Sequence, residues 1–199
     1  MYTLHLSDSL ISAQEDDIVR EVTVGDLLRE VAVERASATA LLEVDMEGQT
    51  GRSWTYSELL SDSEQLALSL SSRYSQGERI TVWAPNVPEW LLIEYACALA
   101  GLVLVTANPS YQDKELRYVL EQSGSVALFL VKHYRGNPMH EIALKATEDL
   151  AAVREIVDVD DHAALFRTGD RALVLPDVYP NDPAQIQYTS GTTGFPKGA

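Results

Sequence analysis

The sequence predicts an α/β fold, a parallel sheet flanked by helices. Apolar, β-favouring runs at 79–83, 102–106, 126–131 and 154–159 alternate with helix-length segments at 88–100, 112–122 and 138–152. Gly101 and Gly124 stand where the first two helical segments stop, and Pro88 and Pro138 where the first and third start. Parallel strands need crossovers of about a dozen residues or more, and helices of this length supply them.

The elements ahead of this alternation follow from local signals. Residues 1–22 lack strong periodicity and read as an extended segment, with a partial domain following over 23–199. Thr23 is a suitable N-cap for a helix through Asp26, Leu27, Leu28, Val31 and Val33. Residues 40–44 and 53–56 flank a turn containing Gly48 and Gly51, which predicts a hairpin. Thr55 followed by Glu58 is a capping-box pattern, and Leu59, Leu66 and Leu70 continue it at helical spacing. Behind the fourth strand, residues 160–183 form a polar, proline-containing connection to a last strand at 185–189.

Composition narrows the function classes. Fifteen basic against thirty acidic side chains give a formal charge of −15 in 199 residues. Such a surface repels nucleic-acid backbones and anionic lipid, so any bound phosphate needs positive charge focused locally. The single cysteine, Cys97, excludes an internal disulfide and lies among Tyr95, Ala96, Ala98 and Leu99, where a buried, inert thiol is expected. His133 and His140 read as surface or packing residues, and the histidines show no metal-ligand spacing. Trp83 and Trp90 read as core residues. Residues 91–107 are too short for a transmembrane span and contain Glu94, so a buried helix and a buried strand are expected there. With no basic, apolar leader in its first residues, the chain is expected to be cytoplasmic.

The chemistry-bearing stretch follows the last strand: Thr189-Ser190-Gly191-Thr192-Thr193-Gly194-Phe195-Pro196-Lys197-Gly198. Four hydroxyls, three glycines and an ammonium lie within it. Glycines let backbone N–H groups approach a polyphosphate, hydroxyls donate to it, and Lys197 offsets its charge. The carboxyl end of a strand is where open α/β sheets bind ligands. A Walker A loop would need Ser or Thr directly after its lysine to hold magnesium, and Gly198 stands there instead. Composition alone favours a flexible loop; the ordered string is more specific.

That string resembles, position for position, the phosphate loop of the adenylate-forming superfamily of acyl-CoA synthetases, luciferases and peptide-synthetase adenylation domains. The resemblance extends upstream to about Val24. Thr55-Tyr56-Ser57-Glu58-Leu59 looks like the family's Thr-Tyr-x-Glu-Leu helix start, and Gly77-Glu78-Arg79-Ile80 like its Gly-Asp-Arg-Val strand. The Ala100-Gly101 turn, the Asn108-Pro109-Ser110-Tyr111 segment and the helix from Glu115 also match. These upstream matches have adequate structural readings as caps, turns and core faces. Asn before Pro109 is more similar to fatty-acyl and other acyl-CoA synthetases than to peptide-synthetase domains, which often carry Asp there.

The resemblance implies an N-terminal piece of an AMP-binding domain in an ATP-dependent acyl-CoA ligase. The implied substrates are a carboxylic, fatty-type acid, ATP with Mg²⁺, and CoA. The implied nucleotide-binding set is Thr189, Ser190, Gly191, Thr192, Thr193, Gly194 and Lys197. Ser190, Thr192 and Thr193 would donate hydroxyls, Gly191 and Gly194 would permit tight wrapping, and Lys197 would steady the β- and γ-phosphates as pyrophosphate leaves. The family's aromatic-Gly-x-Thr-Glu motif, which supplies the magnesium ligand, is absent, as are its ribose-binding aspartate and C-terminal lysine. The isolated chain is therefore expected to be inactive. The competing expectation is a non-catalytic truncated module with at most weak nucleotide binding. A P-loop phosphohydrolase or kinase is disfavoured by the missing Gly-Lys-Ser/Thr.

Overall fold

A computed structural model describes residues 20–45, 47–189 and 196–199. The extended segment expected over 1–22 lies almost wholly outside them.

The chain enters through α1 (Val24–Glu34), capped by the Thr23 side chain, which accepts from Asp26 N at 3.0 Å. An antiparallel hairpin of β1 (Thr39–Val44) and β2 (Thr50–Thr55) follows. Thr55 then opens α2 (Tyr56–Arg73) through a reciprocal capping box, so Tyr56 belongs to the helix and not to the hairpin. Thr55 Oγ1 accepts from Glu58 N at 3.2 Å, and Glu58 Oε2 accepts from Thr55 N at 2.8 Å. The Thr55 N–H, and then the Thr55 hydroxyl at 2.9 Å, donate to the Glu58 carboxylate and hold it below its ordinary range.

The expected alternation then appears as β3 (Arg79–Trp83), α3 (Pro88–Leu99), β4 (Val103–Thr106), α4 (Asp113–Ser123), β5 (Ser125–Leu130), α5 (Met139–Ala146) and β6 (Glu155–Asp158). These four strands pair in parallel. A short helix, α6 (His162–Leu165), precedes β7 (Gln185–Thr189) and β8 (Lys197–Gly198). The six strands run in the order β6-β5-β3-β4-β7-β8, parallel except for β8, which returns antiparallel to β7. The sheet is thus mixed at one edge.

Right-handed crossovers set the layers. From β3 the chain steps one way to β4, then back across β3 to β5 and on to β6. Reversing direction puts successive crossover helices on opposite faces. Accordingly α3 packs with α1 and α2, while α4 packs with α5. Strands covered on both sides are mostly apolar, and Ile80, Val82, Trp83, Leu104, Val105, Ala127, Leu128, Phe129 and Leu130 are all buried; the buried hydroxyls of Thr81 and Ser125 satisfy each other at 2.7 Å. Cys97 is fully buried on α3, and residues 91–107 form the expected buried helix and strand.

Helix α5 is shorter than the predicted 138–152, and Pro138 is its N-cap instead of its first residue. The reason is local. Thr147 Oγ1 turns back to donate to Ala143 O at 2.8 Å, and Asp149 adopts φ 60°, a left-handed conformation that ends helical propagation. At α4 the stop is Gly124, φ 62°. Arg79 completes that end, donating from Nε to Ser123 O at 2.8 Å and from Nη2 to Gly124 O at 2.9 Å. The arginine of the Gly-Glu-Arg segment therefore closes a helix terminus with orphan carbonyls.

Candidate functional site

The site is built on the hairpin at the sheet's far edge. β7 joins β4 through the register pairs Leu104↔Gln185, Val105↔Ile186 and Thr106↔Gln187. β8 then pairs with β7 through Tyr188↔Gly198 and Thr189↔Lys197. Gln187 and Ala199 exchange backbone hydrogen bonds of 2.9 and 3.1 Å, which extends the ladder past Gly198. Thr189 and Lys197 are both exposed, at the carboxyl end of the parallel strands. Of the other expected site residues, Ser190, Gly191, Thr192, Thr193 and Gly194 lie outside the described residues.

Beneath this pair the packing is close. Tyr188 points inward and is 9% exposed. Burial, and then the neighbouring Tyr118 and Tyr111 phenols, push its hydroxyl's pKa up. A Cβ at Gly198 would stand 2.8 Å from Ile186 Cγ2 and 3.1 Å from the Tyr188 ring. Glycine is what allows β8 to lie against β7 with Lys197 opposite Thr189.

A second clamp holds the neighbouring strand end. Trp83, fully buried at the end of β3, donates its indole N–H to Asn108 O at 2.8 Å. Asn108 Oδ1 accepts from Ser110 N at 2.9 Å, and Asn108 O also accepts from Tyr111 N at 2.9 Å. The Asn-Pro-Ser-Tyr segment is therefore a side-chain-stabilised turn after β4, beside the strand that carries the loop. Trp83 is core, as expected, and its hydrogen bond is a role that sequence pattern did not give. Trp90 packs on the core from a half-buried position.

The opposite edge of the sheet is acidic. After β5 and β6, Lys132, His133, Asp158, Asp160, Asp161 and His162 line an open concavity. Lys132 Nζ is committed to Asp158 Oδ2 at 2.8 Å. Burial, with the nearby Asp158 and Glu89, raises the Asp160 carboxyl. This concavity does not suit a polyphosphate. A cavity of about 440 Å³ between α1, the end of α3 and the segment before β7 is lined by Thr23, Asp26, Arg29 and Tyr179, with neither Thr189 nor Lys197 in its wall. Among the described residues no group of His, Cys, Asp and Glu is placed to hold a metal ion. His133 and His140 are exposed. No described helix is long and apolar enough to cross a membrane.

Fold and site together define an α/β domain with an ammonium and a hydroxyl at the carboxyl end of a parallel sheet, an arrangement suited to phosphate. The match to the AMP-binding enzyme family spans residues 28–199, and the chain belongs to that family of adenylate-forming enzymes. It is 33% identical over 173 residues to the mitochondrial medium-chain acyl-CoA ligase ACSF2 of Macaca fascicularis, covering 73% of this chain and 28% of that protein. It is 30% identical over 178 residues to triostin synthetase I of Streptomyces triostinicus, covering 87% of this chain and 32% of that one. The structure superposes on a Mycobacterium tuberculosis fatty acyl CoA synthetase with TM-score 0.70 at 25% identity, over 88% of this chain and 34% of that one. The chain thus spans about a third or less of the length of these three relatives.

Proposed function

We propose that this chain contributes the phosphate-binding part of an ATP-dependent, AMP-forming acid–CoA ligase. The observation that carries the reading is the β7–β8 register, which sets Lys197 across from Thr189 at the carboxyl end of the sheet. In the proposed reaction a carboxylate oxygen attacks the α-phosphorus of ATP. The bond from that phosphorus to the bridging oxygen breaks, and pyrophosphate leaves with the electron pair. The CoA thiol, losing its proton, then attacks the acyl carbon of the adenylate and expels AMP, which leaves the thioester.

Within this chain, Lys197 would neutralise charge on the β- and γ-phosphates as it accumulates on the leaving group, with Thr189 and the hydroxyls of Ser190, Thr192 and Thr193 donating hydrogen bonds. Phosphoryl chemistry of this kind depends on positioning and electrostatic stabilisation more than on covalent catalysis. Mg²⁺ would enter as part of the ATP substrate complex and offset phosphate charge. Asn108 before Pro109 and the likeness to the medium-chain acyl-CoA ligase ACSF2 support a fatty-type acid. The isolated chain is proposed to be inactive, since its relatives use roughly three times its length.

The test is carboxylate-dependent exchange of pyrophosphate into ATP, with a panel of fatty acids and amino acids, on the 199 residues and on the full-length protein. The reading requires exchange by the full-length protein with a fatty acid, and CoA-dependent AMP release. Absence of exchange with every acid would favour a non-catalytic module. Selective response to an amino acid would move the chain to the peptide-synthetase branch.

A further inference from the structure

β7 depends for its register on very little packing. Gln185, Gln187 and Thr189 are exposed, Ile186 is half-buried, and only Tyr188 is buried. Its pairing with β4 covers three residue pairs. The chain reaches it from β6 at the other edge of the sheet, through α6 and the irregular strap 166–184. Irregular segments longer than about 12–15 residues are uncommon within a domain unless something fixes them.

Here the strap is fixed at the C-terminal end of α2, chiefly by two buried serines. Ser69 and Ser72 are each 2% exposed, one helical turn apart. The Gly169 N–H donates to Ser72 Oγ at 2.7 Å, and that hydroxyl donates on to Ser69 O at 2.6 Å. Ser69 Oγ donates to Arg167 O at 2.7 Å. Arg73, its side chain only 4% exposed, donates from Nη2 to Leu165 O at 2.9 Å. Farther along, Arg171 donates to Ser75 Oγ at 2.9 Å, and Gln76 Nε2 donates to Asp177 O at 2.9 Å. The approach at Gly169 is so close that a Cβ there would stand 2.4 Å from the Ser72 carbonyl oxygen, a backbone atom that cannot swing aside.

We propose that Ser72 and Gly169 form a latch that positions the phosphate-loop strand: they clamp the strap to α2, so that β7 enters the sheet in the one register that brings Thr189 and Lys197 to its carboxyl end. A one-residue slip of a strand turns every side chain to the opposite face. Tyr188 would then be exposed, and Thr189 would point into the packing that now holds the phenol. Ser72 is in this sense a positioning residue for the loop, acting from the far end of the sheet, and its link to nucleotide binding rests on the ligase reading above.

Hydrogen–deuterium exchange on the 199-residue chain tests the latch directly. Ser72→Ala removes both the acceptor for Gly169 N–H and the bond to Ser69 O. The expected result is exchange at Gln185–Thr189 about tenfold faster relative to Arg79–Trp83 and Ser125–Leu130 in the same protein. Ile142→Ala, a core truncation on α5, is the control and should accelerate all three strands by a common factor. Equal acceleration of the three strands by Ser72→Ala would overturn the latch. Arg171→Gln, at an exposed position, breaks one strap contact without burying an unpaired group; it should loosen β7 in the same selective way, to a smaller degree, if Ser72→Ala does not fold.

In pyrophosphate exchange by the full-length protein, Ser72→Ala should raise the KM for ATP about tenfold with a much smaller change in kcat. A loosened β7 with unchanged KM would overturn the positioning role. If the wild-type protein exchanges with no acid, it is the ligase reading that falls, and the deuterium pattern on β7 still decides the latch.

Discussion

Lys197 and Thr189 occupy directly opposed positions in the two-residue ladder between β8 and β7. The lysine's place is therefore set by a backbone register, and its ammonium is exposed at the mouth of the sheet, where a phosphate can reach it. On the proposed ligase reading, Lys197→Ala in the full-length protein should lower carboxylate-dependent pyrophosphate exchange by roughly 10- to 150-fold, the effect of losing a charged donor worth about 1.5–3 kcal/mol that acts mainly in the transition state. Retention of wild-type exchange would remove Lys197 from the mechanism.

Gly198 gives a prediction separable from charge. Alanine there places a methyl 2.8 Å from Ile186 Cγ2 and 3.1 Å from the Tyr188 ring, so β8 must lift from β7 or Tyr188 must shift. Gly198→Ala should keep the ammonium but displace it, impairing exchange while costing little global stability, since β8 lies at the sheet edge. Loss of exchange accompanied by a large drop in melting temperature would mean that the hairpin is instead part of the cooperative core.

Much of this fold was legible because its signals are local or periodic. Thr55 and Glu58 announce α2 by their spacing alone, and the capping box is present at the expected pair. Gly124 announces the end of α4 because the left-handed conformation there favours glycine. Gln185–Thr189 was delimited by β-favouring residues ahead of a glycine loop, and the strand has those limits. What escaped the sequence was long-range. Ser69 and Ser72 look like solvent-facing helix residues until the strap, nearly a hundred positions later, covers them. Nor could Trp83 be matched to the Asn108 carbonyl, because that hydrogen bond joins two strand ends. The short α5 was misjudged at Thr147, whose side chain competes for a helix carbonyl. The candidate site was legible as a motif, whereas the partner that sets Lys197 in place depends on pairing.

Cys97 should be chemically silent in the folded chain. It is fully buried, and burial, with Glu94 adding to it, pushes the thiol far up, so almost no thiolate forms near neutrality. A neutral thiol reagent should label it no faster than the domain opens, and sub-denaturing urea should accelerate labelling in step with unfolding. Rapid stoichiometric labelling of demonstrably folded protein would show that α3 does not pack as described.

Glu94 supplies a pH dependence with a definite sign. It lies half-buried on α3, and burial raises its carboxyl above the ordinary value of 4.5. The folded chain then binds that proton more tightly than the unfolded chain does. The resulting destabilisation is absent below the unfolded pKa and complete above the folded one, so through this side chain stability falls as pH rises across 4.5 and just beyond. Glu94→Gln keeps the shape and removes the charge. Its melting temperature should exceed wild type by a few degrees at most near neutrality, since the partly exposed site is screened by solvent, and should converge with wild type well below 4.5. Thermal melts of both proteins across that range give the comparison. A constant difference at every pH would assign the effect to packing, and a less stable Gln variant at neutral pH would mean that the carboxylate has a favourable partner in the folded protein.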